Sequence, residues 1–113
     1  MSSTQLRTQF TTFRPEGFIS VANASEFLAR LTREVKTSVD SPLLVNMEGV
    51  EFMDSAGLMV LIKAFRLAES LGRRFSICCV PPSVRIMFEL TQLDKAFEIF
   101  EDEVAFEMAV EQY

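Results

Sequence analysis

Apolar residues fall along this chain in two alternating patterns, short dense runs and longer stretches with helical spacing. Phe10-Thr-Thr-Phe13 and Phe18-Ile-Ser-Val21 are short and rich in β-formers, and Arg14-Pro-Glu-Gly17 between them is turn chemistry. That arrangement predicts a hairpin. Phe27, Leu28, Leu31 and Val35 recur at helical spacing, so residues 24–38 should form an amphipathic helix ended by Asp40-Ser-Pro42. Asn23 and Glu26 have the spacing of an N-terminal cap for it. Leu43–Met47 reads as a buried strand.

The segment 55–71 predicts a long, largely buried helix stopped by Gly72. Past its first turn, its polar positions (Lys63, Arg66, Glu69 and Ser70) share one narrow stripe. Phe75–Val80 is the next buried strand. Pro81-Pro82 breaks the chain before a short helix from Ser83 to Thr91. Phe97–Phe100 is a last strand, and Asp102 caps a helix reaching Tyr113 with Val104, Ala105 and Met108 turned inward. Residues 1–8 are polar and read as a flexible lead-in. The order is β-β-α-β-α-β-α-β-α, which gives a single α/β domain over residues 1–113. Its sheet should be mixed but mainly parallel, with about four or five strands and about four helices.

Composition narrows the chemistry. With 113 residues, nearly half of them apolar and eleven of them Phe, the chain can fill one core without a metal or a disulfide. Cys78 and Cys79 are adjacent, so an internal bridge would be strained. They read as buried thiols of a cytoplasmic protein, with a redox pair or an intermolecular bridge as the alternatives. The net charge of −5 and the lack of a basic cluster argue against nucleic acid. No apolar run approaches a membrane span. There is no histidine, which rules out Ser-His-Asp and Cys-His catalysis and removes the commonest transition-metal ligand. No P-loop, G-x-G-x-x-G or G-x-S-x-G motif is present. No enzyme, cofactor or metal site is expected.

The segment of greatest interest is Val50-Glu-Phe-Met-Asp-Ser-Ala-Gly-Leu-Met59, read as the turn joining a buried strand to the long helix. Functional groups of open α/β sheets sit at such carboxyl ends. Ser55 falls in the first helical turn, where backbone N–H groups lack intrahelical partners and the dipole is positive. A phosphoryl group there would meet free donors, while its charge beside Asp54 would repel an acidic partner. The plainer reading is that Asp54 or Ser55 only caps the helix. Small Ala56 and Gly57 fit either close access by a partner or close helix–strand packing.

Phe52-Met-Asp-Ser-Ala-Gly-Leu58 resembles the signature of the STAS family, the anti-sigma-factor antagonists of bacteria. Asn23-Ala24, the Leu43–Met47 run, Gly72-Arg-Arg-Phe75, Pro-Pro-Ser83 and Leu90-Thr-Gln-Leu93 continue the likeness. With Ala56 and the Leu-Thr-Gln-Leu run, the chain is similar to stand-alone STAS proteins of cyanobacteria. It lacks the Asp-rich loop of many members before the first helix, where Gly17–Asn23 is short and apolar.

The resemblance implies that Ser55 accepts phosphate from an anti-sigma serine kinase, with Asp54, Ala56, Gly57 and Asn23 around it. Asn23 stays open between that role and a plain helix cap. Met59, Lys63, Ser83, Arg85 and Glu89 would face the partner, Met59 being equally readable as core. The unphosphorylated form would bind the kinase, phosphorylation would release it, and a metal-dependent serine phosphatase would restore binding. The protein itself would be a monomer or a weak homodimer. The alternatives are a STAS regulatory subunit of an ATPase or transporter, and a domain that binds a nucleotide or small ligand.

Overall fold

The computed structural model describes residues 9–111. The expected lead-in and the last two residues of the predicted C-terminal helix lie outside them. Strands Thr11–Phe13 (β1) and Gly17–Ile19 (β2) come first, followed by helix Ala24–Lys36 (α1) and strands Leu43–Asn46 (β3) and Val50–Met53 (β4). Helix Ser55–Ser70 (α2), strand Phe75–Cys78 (β5) and helix Pro82–Leu90 (α3) come next. A 3-10 turn at Leu93–Lys95 then precedes strand Glu98–Phe100 (β6) and helix Glu103–Val110 (α4). The α/β class expected from the alternation is the one that forms.

The N-terminal hairpin does not form. β1 pairs in parallel with β3, Thr11 opposite Leu43, and β2 pairs in parallel with β4, Ile19 opposite Met53. Arg14–Glu16 does not reverse the chain. Gly17 takes φ +78°, and its N–H donates to the Gly49 carbonyl at 2.9 Å, so the chain bends and continues forward. Residues 47–49 bend in step, and the β2–β4 ladder carries on past the end of the first. β4 lies within the segment whose sequence predicts a turn. Val50-Glu-Phe-Met has its two central residues exposed and its two ends buried, so no period of two announces it.

β1, β3, β5 and β6 make the main sheet in that order, with every ladder parallel. Every residue of β3 and β5 is buried, as expected where both faces of a parallel sheet are covered. Alternate residues serve opposite faces. Leu43, Val45, Phe75 and Ile77 join Phe27, Leu31, Leu61, Ala64, Val84 and Phe88, which places α1, α2 and α3 on one side. Leu44 and Cys78 meet Phe106 and Val110 of α4 on the other.

The inward face of α4 differs from expectation. Phe106 and Val110 are buried, whereas Val104 and Met108 are exposed and Ala105 is half-buried. The aromatic ring sets this register, because Phe106 fits edge-on between Phe10 and Phe100, with centroids at 4.9 and 5.6 Å. The start of α4 is fastened by Glu103, which accepts from Asn46 Nδ2 at 2.7 Å and pairs with Arg14 at 2.6 Å.

Gly72 stops α2 as predicted. It takes φ +71°, its N–H donates to Glu69 and the N–H of Arg73 donates to Ala68, which together make a Schellman closure. That closure turns the Arg73 side chain inward, where it is 4 % exposed. Its Nε donates to the Ser41 carbonyl (2.7 Å) and its Nη1 to the carbonyls of Glu34 (2.5 Å), Val35 (3.0 Å) and Thr37 (2.6 Å). Arg73 thus caps the carboxyl end of α1 from another element. Arg74, its neighbour, forms a surface pair with Glu98 at 2.6 Å.

Candidate functional site

The β2–β4 ladder delivers two segments to one place. β2 runs into the loop 20–23, and β4 runs directly into Asp54 and the start of α2. Asp54 joins them. Its N–H donates to the Ile19 carbonyl at 3.1 Å. Its Oδ1 accepts from Ala56 N–H at 2.9 Å and from Gly57 N–H at 3.2 Å, and its Oδ2 accepts from Val21 N–H at 3.0 Å. One carboxylate therefore caps α2 and holds the neighbouring loop. Of the two cap readings, Asp54 is the cap. Desolvation pushes its carboxyl upward, but the N–H donors of Val21, Gly57 and Ala56 outweigh this and hold it below the ordinary 3.8.

A depressed carboxyl supports folding above its unfolded pKa and loses that support as the pH falls through its folded one. Asp54→Asn should accordingly be less stable than the parent chain at neutral pH, with the gap closing below about pH 4. Urea midpoints of both proteins along a pH series check this, and a gap that stays constant or widens in acid contradicts it.

Ser55 occupies the first position of α2 and is exposed. Sequence reasoning gave a phosphoryl group free N–H donors here. The structure narrows this, because the N–H groups of Ala56 and Gly57 are already taken by Asp54, which leaves the N–H of Ser55 itself. Gly57 is explained by packing. A Cβ there would lie 2.8 Å from Met53 Cγ, 2.9 Å from Ile19 Cγ2 and 3.2 Å from the Ile19 carbonyl.

Asn23 sits at the cap position of α1 but makes no cap bond. Its Oδ1 accepts from Ser20 N–H at 2.9 Å and its Nδ2 donates to the Phe18 carbonyl at 2.8 Å, folding the loop back on β2. The same loop meets Asp54 through the N–H of Val21.

Met59 and Lys63 are exposed on α2, which settles Met59 as surface rather than core. Their neighbours across a groove are Ala24, Ser25 and Leu28 of α1. Ser83 and Glu89 are exposed and Arg85 half-buried on α3, outside that groove. The sequence reading missed an aromatic pair beside the site. Phe18 and Phe52 stand on adjacent strands with ring centroids 5.8 Å apart, 61 % and 46 % exposed. Finding that pair needed the β2–β4 pairing, which the expected hairpin concealed.

Cys78 is buried and Cys79 half-buried, both as free thiols. Burial pushes the Cys78 thiol well up, and a hydrogen bond with Cys79 adds to the shift, so it is a poor nucleophile. Among the described residues, no cluster of three or more His, Cys, Asp and Glu could hold a metal, and no helix is long and apolar enough to cross a membrane.

Ser55 thus stands beside a carboxylate cap at the head of a largely buried helix, on a parallel sheet with helices on both faces. Residues 2–105 match the STAS domain family, and the chain belongs to it. It is similar to an anti-sigma F factor antagonist of Paenibacillus polymyxa, 29% identical over 62 residues, or 55% of this chain. That match spans about half the relative's length, 53%. Two solved structures share the fold. One is an anti-sigma-factor antagonist (STAS) domain protein from Planctomyces limnophilus, with 16% identity and a TM-score of 0.75 over 90% of this chain and 89% of that one. The other is the Bacillus cell fate determinant SpoIIAA in its phosphorylated form, with 19% identity and a TM-score of 0.66 over 88% and 90%.

Proposed function

We propose that this chain is an anti-sigma-factor antagonist that works as a partner switch through Ser55. Unmodified, it binds an anti-sigma serine kinase. Phosphorylation of Ser55 breaks that complex, and a metal-dependent serine phosphatase restores it. The protein is then a substrate of other enzymes, works in the cytoplasm as one domain, and needs no cofactor. The observation that carries this reading is the setting of Ser55, a solvent-facing hydroxyl on a helix start whose backbone is already secured by Asp54. Modification there adds a charge of about −1.5 to −2 to a surface without removing any bond the fold uses. The kinship with proteins named for anti-sigma antagonism supports the same conclusion.

The test is phosphopeptide mapping of the protein from its native cells, with kinase binding measured for three forms. Phosphate should be found on Ser55. Ser55→Ala should bind as the parent does and stay bound in ATP, and Ser55→Glu should bind at least about tenfold more weakly. Unmodified Ser55 under all conditions, together with equal binding by all three forms, would sink the proposal.

A further inference from the structure

The groove beside Ser55 has a chemistry of its own. It encloses about 300 Å³ between Ala24, Ser25 and Leu28 of α1 and Ala56, Met59, Val60 and Lys63 of α2. The chain as a whole carries 16 acidic residues against 11 basic ones. No carboxylate lines this groove, and its single ionic group is the Lys63 ammonium. Two other crevices mix both signs, one with Glu16 and Glu48 beside Arg14 and the other with Glu16 and Glu26 beside Arg30. The two alanines leave the floor open, and Met59, 49 % exposed, offers a soft, adaptable wall. The volume is at the bottom of the range for small-molecule sites, and a helix pair with an apolar floor suits the anchor of a protein segment better.

We propose that this groove receives one large apolar side chain of a partner protein, whose neighbouring Asp or Glu pairs with Lys63. The docking segment is thus acidic and amphipathic. The inference rests on the partner-switch reading, and it supplies that reading with a partner chemistry. Ser55, Met59 and Lys63 are spaced by four, so they share one face of α2. Ser55 and Lys63 lie two turns apart, about 12 Å along the axis. A phosphate on Ser55 stands at one end of the groove and the cation at the other. A partner carboxylate on Lys63 then stands about 12 Å from the phosphate, beyond the Debye length of about 8 Å at physiological salt, so its share of the repulsion is largely screened there and grows as the salt is lowered.

The test pans a displayed library of random peptides against the unmodified full chain and measures the winners by titration. Enriched peptides should carry Leu, Ile, Met or Phe next to Asp or Glu, with amide shifts on binding centred on Ala24, Leu28, Ala56 and Met59. Lys63→Glu and Met59→Glu should each weaken them at least about tenfold. Lys95→Glu, on the exposed 3-10 turn, should leave them unchanged. Lys- or Arg-rich winners, shifts centred on Phe18 and Phe52, indifference to Lys63→Glu, or no enrichment would each overturn the inference. Ser55→Glu, run in parallel, separates the two ideas. If it binds the same peptides equally well, the switch reading fails while the docking inference stands. If it fails to bind while Lys63→Glu binds normally, only the docking inference falls.

Discussion

Arg73→Ala should destabilise the protein by about 3 kcal/mol, and Arg74→Ala, one residue on, by less than about 1 kcal/mol. The contrast comes from their surroundings. Arg73 gives four hydrogen bonds to the carbonyls of Glu34, Val35, Thr37 and Ser41 while almost wholly buried. A bond from a charged donor is worth about 1.5–3 kcal/mol, and removing the donor takes away the buried bond to Val35 and the part-buried ones beside it. Burial lowers the guanidinium pKa and Glu34 raises it, and Nη2 is buried without a partner among the described residues. Those desolvation penalties are why the expected loss is well below the sum of four bonds. The Arg74–Glu98 pair is exposed and contributes little.

In a domain of this size the Arg73 loss should appear as a melting point lower by roughly 10–15 °C. Arg73→Lys should recover only part of it, because one ammonium cannot reproduce a planar fork. Urea and thermal midpoints of the three variants decide the matter. If the Arg73→Ala and Arg74→Ala proteins melt together, the cap has no weight.

Phe106→Ala should cost about 3–5 kcal/mol and release α4 from the sheet. The ring is fully buried and is the main body in the second core, with Leu44, Cys78 and Val110 around it. Val104→Ala and Met108→Ala, on the same helix but exposed, should change stability by no more than about 0.5 kcal/mol. A second readout tests the location of the damage. Cys78 lies under α4, where burial raises its thiol pKa, so in the parent chain it should react slowly with a thiol reagent. In Phe106→Ala it should be labelled much faster under native conditions. Loss of stability with Cys78 still closed would show that α4 stays docked and that the main core is what suffers.

The parts legible in the sequence were those fixed by strong local pattern. The apolar runs of β3 and β5, the spacing of Phe27, Leu31 and Val35, and the Gly72 stop each encode an element from nearby residues alone. The Asp-Ser-Ala-Gly segment is different, because on spacing alone it reads as a helix cap, and only its resemblance to the STAS signature marks it as a candidate site. What escaped depended on distant partners. Arg14-Pro-Glu-Gly17 has hairpin composition, but the bond from Gly17 to Gly49 decides its path. The inner face of α4 follows from where Phe10 and Phe100 arrive, not from the spacing of Val104 and Met108. The contact of Asp54 with Val21 spans 33 positions. Arg73 and Arg74 are identical letters, and only the helix end opposite one of them tells a buried cap from a surface pair.

The two N–H groups held by Asp54 have a bearing on how information is stored in this molecule. Had they been open, a phosphate on Ser55 would have completed the helix end, and the marked form would have been the better-folded one. Both are already filled in the unmarked form. On the reading proposed above, the marked and unmarked proteins are equally good structures that differ in a charge at one spot. The mark then has no meaning inside the chain that bears it, and whatever it signifies must be read by the surface that comes to meet it.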